Sequence, residues 1–387
     1  MKHNWEYKRL GEFCNFERGV TYSDKDESES PSNNIILRSN NIDLDTYSLN
    51  FSELKYLKPE FNISESKKLK ANSILICLSN GSLAHLGKTA FIKDDYNMAF
   101  GGFMGLIIPK SQNSKYISYI FRSKIYYNFL NSLNRGANIR NIQFSKLSGL
   151  VVPVPPMAVQ EQIVAELDKI NEVIADCREL LRNLNALEQS LFYDFFGDPI
   201  SNPKAWETKK IEDMCSLKSG DSSANNLPEG DTPYVKVSDM NLDENQYGIK
   251  TSSKFVNIGN KTNLLFPIGT TIFPKRGGAI LTNKKRLTKV SICCDLNIMG
   301  VIPKHINCIY LFYYFVLLDF KELIDGSTVP QINNADIYPL IVPVPPLELQ
   351  EKFAARIEQI EEQKKAVEQT IAELQTLLDS RMDYWFN

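Results

Sequence analysis

The sequence predicts an α+β protein made of two homologous mixed segments, each running into a long helix. The two helices are expected to pair as an antiparallel coiled coil, making the whole pseudo-two-fold symmetric. Three observations carry this. A repeat of about 190 residues divides the chain, a heptad-like apolar seam closes each copy, and short β-rich stretches broken by Gly, Asn and Ser precede each seam.

The repeat is clearest where VVPVPPMAVQEQIVAELDKI (Val151–Ile170) lies over IVPVPPLELQEKFAARIEQI (Ile341–Ile360), with nine of 20 positions identical. Upstream at the same offset, GANIRNI (136–142) lies over GSTVPQI (326–332). Near the start of each half, Trp5-Glu6, Lys8, Cys14 and Gly19 fall on Trp206-Glu207, Lys209, Cys215 and Gly220. The offset falls from 201 here to 190 at the VPVPP segment, so the first half carries about eleven extra residues in its middle. The 387 residues suit two to three domains. The repeat sets their bounds at 1–150 and 198–340 for the mixed segments, and 151–197 and 341–387 for the helical regions.

Each helix begins after a VPVPP segment, because proline lacks the N–H a helix needs and drives its predecessor to extended backbone. In the first, Ile163, Leu167, Ile170, Ile174, Cys177, Leu181, Leu184 and Leu191 alternate at 4-3 spacing, with Glu188 as the one break. In the second, Phe353, Ile357, Ile360, Val367, Ile371, Leu374 and Leu378 do so, with Lys364 and Arg381 in interrupted positions. A narrow seam of this kind is a coiled-coil signature rather than a broad surface-helix face. Some 38 residues make a rod of about 55–60 Å. Gly197-Asp198-Pro199 stops the first helix.

Within the mixed segments, Asn34–Leu37, Ser73–Leu78, Phe103–Ile108, Thr232–Val237, Thr270–Phe273 and Ile298–Ile302 read as strands. A Tyr/Phe-rich helix is expected near Tyr116–Leu133 and another near Tyr310–Ile324, their aromatics spaced for core packing.

Motifs for catalysis are missing. Gly81 through Gly87-Lys88-Thr89 comes near a phosphate-binding loop, but has five residues between its glycines where four are needed. The next six residues, AFIKDD, open no helix to receive a phosphate. There is no GxGxxG in a βαβ setting, no HExxH, no GxSxG and no (D/N/S)PP(Y/F). Seven cysteines without a CxxC pair and three distant histidines predict reduced thiols and no zinc site. The N-terminus lacks a signal-peptide core, and the longest apolar run, Ile309–Leu318, is half a membrane span, so a cytoplasmic protein is expected.

The formal net charge of −2 speaks at first against a nucleic-acid binder. Taken by segment it does not: residues 1–150 carry +6 and 201–340 carry +2, while 151–200 carry −6 and 341–387 carry −4. DNA phosphates would meet the mixed segments and be repelled by the helices. Loop Arg, Lys, Asn, Gln and Ser are the side chains that read base edges and phosphates. The candidate DNA contacts are Arg38, Asn80, Ser82, Lys88, Arg135, Asn138 and Arg140 in the first half. In the second they are Lys236, Lys275, Arg276, Lys284, Lys285, Arg286 and Gln331, several of them flanking an expected hairpin. No catalytic or metal-binding residue is assigned.

The ordered set of Trp-Glu openings, the Gly-led segment ahead of VPVPP, Gln160-Glu161 and Gln350-Glu351 at the helix starts, and the Phe196-Gly197-Asp198-Pro199 junction resembles the specificity (S) subunit of type I restriction–modification systems, the HsdS family. GSTVPQ (326–331) fits that family's pattern well and RGANIR (135–140) only loosely. The resemblance implies two target-recognition domains, each reading half of a gapped, bipartite double-stranded DNA target. The helices would set the gap and dock methylation (M) subunits, two of them, which restriction (R) subunits join. It implies no cofactor on this chain, with S-adenosylmethionine, ATP and Mg on the partners, and no activity of its own. A coiled-coil scaffold for protein partners and a cryptic DNA-modifying enzyme stay open as alternatives on the residues alone.

Overall fold

The computed structural model describes residues 5–44, 46–82, 85–133, 141–324 and 330–386. The chain forms two compact units, Met1–Asp176 with Ile371–Asn387, and Cys177–Thr370. The two long helices, Met157–Phe196 and Leu347–Phe386, have 40 residues each. Each is divided between the units, so a unit holds one mixed segment, the first part of the helix that follows it and the last part of the other helix.

In the first unit, a four-stranded antiparallel sheet runs in the order Cys14–Arg18, Met104–Pro109, Ser73–Cys77, Thr89–Ile92. In the second, the order is Cys215–Ser219, Ile298–Pro303, Thr271–Pro274, Arg286–Leu287. The register repeats as well: Cys14 pairs with Pro109, and Cys215 with Pro303. The start of each VPVPP segment is a strand: Val151–Val154 pairs with Glu6–Arg9, and Ile341–Pro343 with Thr208–Lys210. The repeated glycine at the end of the first sheet strand has a steric reason. A Cβ on Gly19 would lie 2.1 Å from the Gly101 carbonyl oxygen, and one on Gly220 would lie 2.0 Å from that of Asp295.

Gln160 and Gln350, read in sequence only as helix openers, are both 1% exposed. The Gln160 side-chain oxygen accepts from the Asn113 N–H (3.0 Å) and its amide donates to the Pro155 carbonyl (2.8 Å). Gln350 does the same with Asn307 (2.9 Å) and Pro345 (2.7 Å). Asn113 and Asn307 in turn cap Ser114–Ile120 and Cys308–Leu317. One glutamine thus satisfies a buried N–H and ties the long helix to the aromatic helix of its unit. That helix is shorter than the sequence suggests. The first copy breaks into Ser114–Ile120 and Lys124–Leu133, and the second ends at Leu317 before a 3₁₀ turn, Phe320–Leu323. Their tyrosines are core: Tyr116 and Tyr310 are fully buried and donate to the Pro153 and Pro343 carbonyls.

The charges that break the apolar seams find partners across the helix pairs. In the second unit, Lys364 and Glu188 form an ion pair at 2.5 Å, side chains 2% and 11% exposed. Phe192, Phe195 and Phe196 meet Phe353 farther along, so these helix segments run antiparallel. In the first unit, Arg381 pairs with Glu166, which also accepts from the Trp385 indole at 3.0 Å.

The near-miss phosphate loop is a hairpin connection. Gly87 N–H donates to the Cys77 carbonyl at 2.8 Å, and Thr89–Ile92 is a strand, leaving no helix terminus for a phosphate. All seven cysteines are free thiols. Among the described residues no helix is long and apolar enough to cross a membrane.

Candidate nucleic-acid interface

In the first unit the turns at one end of the sheet enclose a groove of about 1010 Å³, whose lining includes Arg18, Tyr22, Arg38, Asn40, Asn80, Phe103 and Asn141. Arg38 follows strand Ile35–Leu37, and its backbone N–H donates to the buried Asn41 side chain at 2.8 Å. With its main chain held, the guanidinium lies at the groove, and its Nε is buried without a protein partner. Asn80 donates to Ser39 Oγ at 3.0 Å and accepts from the Ser82 N–H at 2.9 Å, so its amide is oriented and Ser82 belongs to the same turn. Asp24 and Glu27 also line the groove, and Glu27 is neutralised by Lys55.

The second unit repeats these backbone positions with other side chains. Lys236 stands where Arg38 does, its N–H donating to Asp239 at 2.7 Å and the 3₁₀ turn Val237–Asn241 following. Arg276 bridges Gln331 across an antiparallel contact, as Ser79 bridges Asn141. Lys275 N–H donates to the Asn297 carbonyl (2.8 Å), as Leu78 N–H does to that of Phe103 (2.9 Å). Ser219 ends its strand where Arg18 ends its own. Lys236, Arg276 and Gln331 are exposed. Lys275 is half-buried and donates to Ser219 Oγ at 2.7 Å, burial first and Arg276 second lowering its pKa.

Several predicted contacts serve the fold instead. Lys88 is buried and donates to the Ile42 carbonyl at 3.1 Å, with burial lowering its pKa. Lys285 is 3% exposed. Its ammonium donates to Asn283 Oδ1 (2.5 Å) and to the Leu318 carbonyl (2.7 Å) just past helix Cys308–Leu317, 4.0 Å from the Phe320 ring centroid. A cation there satisfies an orphan carbonyl and complements the helix dipole. Lys284 donates to Asn241, and the half-buried Arg286 donates to the Lys285 carbonyl at 3.1 Å. Lys284, Lys285 and Arg286 line a recess of about 450 Å³ with Glu188, Tyr247 and Lys364, away from Arg276 and Gln331. The expected hairpin exists, Thr271–Pro274 pairing with Arg286–Leu287, but its two cation clusters face different surroundings. Arg135, Asn138 and Arg140 lie outside the described residues.

Burial pushes the Lys285 ammonium down to about 7 from its ordinary 10.5. Between those values the unfolded chain holds a proton that the folded chain has shed, so this site adds stability as pH rises from about 7. We expect the stability difference between the wild type and Lys285→Met to shift in favour of the wild type from pH 7 to 9. Urea unfolding at both values checks it, and a pH-independent difference would contradict it.

Arg18, Tyr22, Asn40, Phe103 and Asn141 are groove residues that sequence reasoning missed. Arg18 had a signal, since it directly precedes the repeated Gly19. Phe103 had a misleading one, since GGFMGLIIP reads as the start of a buried strand.

A duplicated α+β chain with guanidinium, amide and hydroxyl groups gathered on equivalent turns is a nucleic-acid-recognition protein by class. The family model for the type I restriction modification DNA specificity domain matches residues 2–187 and 203–376. The chain belongs to that family. It is 30% identical over 176 residues to the specificity subunit of the EcoKI type I restriction enzyme of Escherichia coli, spanning 44% of this chain and 37% of that protein. The MjaIX specificity subunit of Methanocaldococcus jannaschii is 22% identical over 339 residues, 80% of this chain and 77% of the relative. A type I R-M system structure, solved to show complex assembly and conformational transition, aligns with TM-score 0.60 at 18% identity, covering 98% of this chain and 96% of that one. The S subunit from M. genitalium aligns with TM-score 0.55 at 13% identity, covering 99% and 96%. Both likenesses concern the fold.

Proposed function

We propose that the chain is the DNA specificity subunit of a type I restriction–modification complex, each mixed segment reading one half of a gapped, bipartite target. The observation that carries this is the set of equivalent turn positions filled differently in the two units: Arg38 and Lys236, Ser79 and Arg276, Asn141 and Gln331. One scaffold with two side-chain sets is what two unlike half-sites require. Lysines and arginines neutralise phosphates, and Arg, Asn and Gln held by fixed backbones meet base edges in the major groove.

The acidic long helices are left for protein partners: they dock two methylation subunits, which restriction subunits join, and set the gap between half-sites. S-adenosylmethionine, ATP and Mg are bound by those partners. This chain is non-catalytic and works in the cytoplasm, where DNA is within reach.

Mapping methylated adenines genome-wide, in cells with and without this chain, tests the reading. A gapped two-part motif that disappears on deletion is expected, and an unchanged methylation pattern would overturn it. Arg276→Ala is expected to weaken binding by about 1–3 kcal/mol, the worth of a bidentate base contact, and to relax the motif at one position. Unaltered affinity and motif would remove Arg276 from the interface.

A further inference from the structure

We infer that Phe103 is an apolar base reader that packs on the C5-methyl group of a thymine in the half-site met by the first unit; this rests on the DNA-recognition reading above. A phenylalanine ring normally withdraws from water, yet Phe103 is 73% exposed. Its backbone is not loose. Its carbonyl accepts from the N–H groups of Leu78 (2.9 Å) and Ser79 (3.1 Å), and the turn is closed by Met104 N–H on the Gly101 carbonyl at 2.8 Å. Behind it Gly102 is packed so closely that a Cβ would lie 3.3 Å from Thr21 Oγ1 and the Val20 carbonyl oxygen. A fixed main chain therefore holds the ring outward, at a groove it shares with Arg18, Arg38, Asn80 and Asn141.

Cations and amides around one apolar ring suit a ligand that offers phosphates, hydrogen-bonding edges and an isolated apolar group together. In the DNA major groove that apolar group is the thymine methyl. The second unit shows that this position is not apolar by necessity of the fold. Asn297 occupies the same turn position, its carbonyl accepting from Lys275 and its amide donating to Asp295 Oδ1 at 2.6 Å. The same backbone site thus carries an exposed apolar ring in one unit and a half-buried amide, held by Asp295, in the other.

The test uses the chain assembled with its methylation subunits and a duplex carrying the mapped target. Each thymine is replaced in turn by deoxyuridine, which lacks only the methyl group. One replacement should weaken wild-type binding roughly three- to fivefold, the scale of one lost methyl contact. Phe103→Ala should bind the unmodified duplex as the wild type binds that weakened one, with no further response to deoxyuridine there, and Phe103→Leu should keep the response. An unchanged melting temperature of Phe103→Ala establishes that the fold is intact. The assignment is overturned if every replacement is neutral in the wild type, or if Phe103→Ala responds as the wild type does. The latter would also be the behaviour of a ring acting as a wedge between base steps. Specific binding that ignores the methyl overturns this assignment alone, whereas absence of any sequence-specific binding overturns the subunit reading with it.

Discussion

Lys364→Ala is expected to destabilise the second unit by about 3–5 kcal/mol, because it leaves the largely buried Glu188 carboxylate without its counter-charge. The side chains of the pair are 2% and 11% exposed. The ammonium also lies 5.5 Å from the Tyr247 ring centroid, and the hydroxyl of Tyr247 donates to Glu368 at 2.5 Å. Burial first, and Glu188 beside it second, push the Tyr313 hydroxyl pKa upward. Replacing both partners by apolar residues, Glu188→Leu with Lys364→Met, should recover most of the loss, since desolvating an ion pair offsets much of its attraction. Guanidinium unfolding of the wild type, the single and the double variant measures this. A single-variant loss below about 1 kcal/mol would place the pair in effective contact with solvent.

Phe196→Ala is the second large effect, again about 3–5 kcal/mol, from lost transfer energy and the cavity left behind. Phe196 ends the central helix at 2% exposure and meets Tyr310 at 4.6 Å and Phe353 at 5.1 Å between ring centroids. Its carbonyl also accepts from the Trp206 indole at 2.9 Å, joining helix end, linker and the start of the second mixed segment. Phe196→Leu should cost less than about 1.5 kcal/mol, since it nearly keeps the volume. The first unit repeats the arrangement with Phe386 stacked on Tyr116 at 5.5 Å. Thermal unfolding separates the two Phe196 variants, and equal losses would show that this core tolerates rearrangement.

The long helices were legible because proline excludes itself from a helix interior and a 4-3 apolar spacing has few other uses. Glu188, Lys364 and Arg381 could be read only as interruptions. Pairing Glu188 with Lys364 requires the mutual register of two segments far apart in the chain, and neither segment encodes that alone. Local spacing likewise places the six strands it names within a residue or two, since turn residues and β-branched runs mark them. It passes over Cys14–Arg18 and Thr89–Ile92 in the first sheet and Cys215–Ser219 and Arg286–Leu287 in the second. Of the two aromatic helices, the first spans the expected residues but is interrupted between Ile120 and Lys124, and the second ends at Leu317 although its apolar pattern continues.

For the candidate site, composition names loops without showing which of their side chains turn outward: Arg38 and Asn80 reach the groove, whereas Lys88 and Lys285 are buried. Lys285 and Arg276 sit in the same hairpin connection, yet one ammonium turns inward to the Leu318 carbonyl while the guanidinium stays in solvent. A lysine stem can follow either course, and the choice depends on which carbonyls the rest of the fold leaves unpaired. Phe103 shows the converse, an apolar residue whose main chain is held by hydrogen bonds from Leu78 and Ser79, just past a strand distant in sequence.

The sequence by itself determined the duplication, the α+β class, the helical regions and the uneven charge, basic on the mixed segments and acidic on the helices. These are properties of spacing and composition, which need no partner in space. Only the tertiary structure decided which seam-breaking charges pair, which loop cations are struts, and which side chains share a groove. Each of those depends on bringing together residues that the chain keeps far apart.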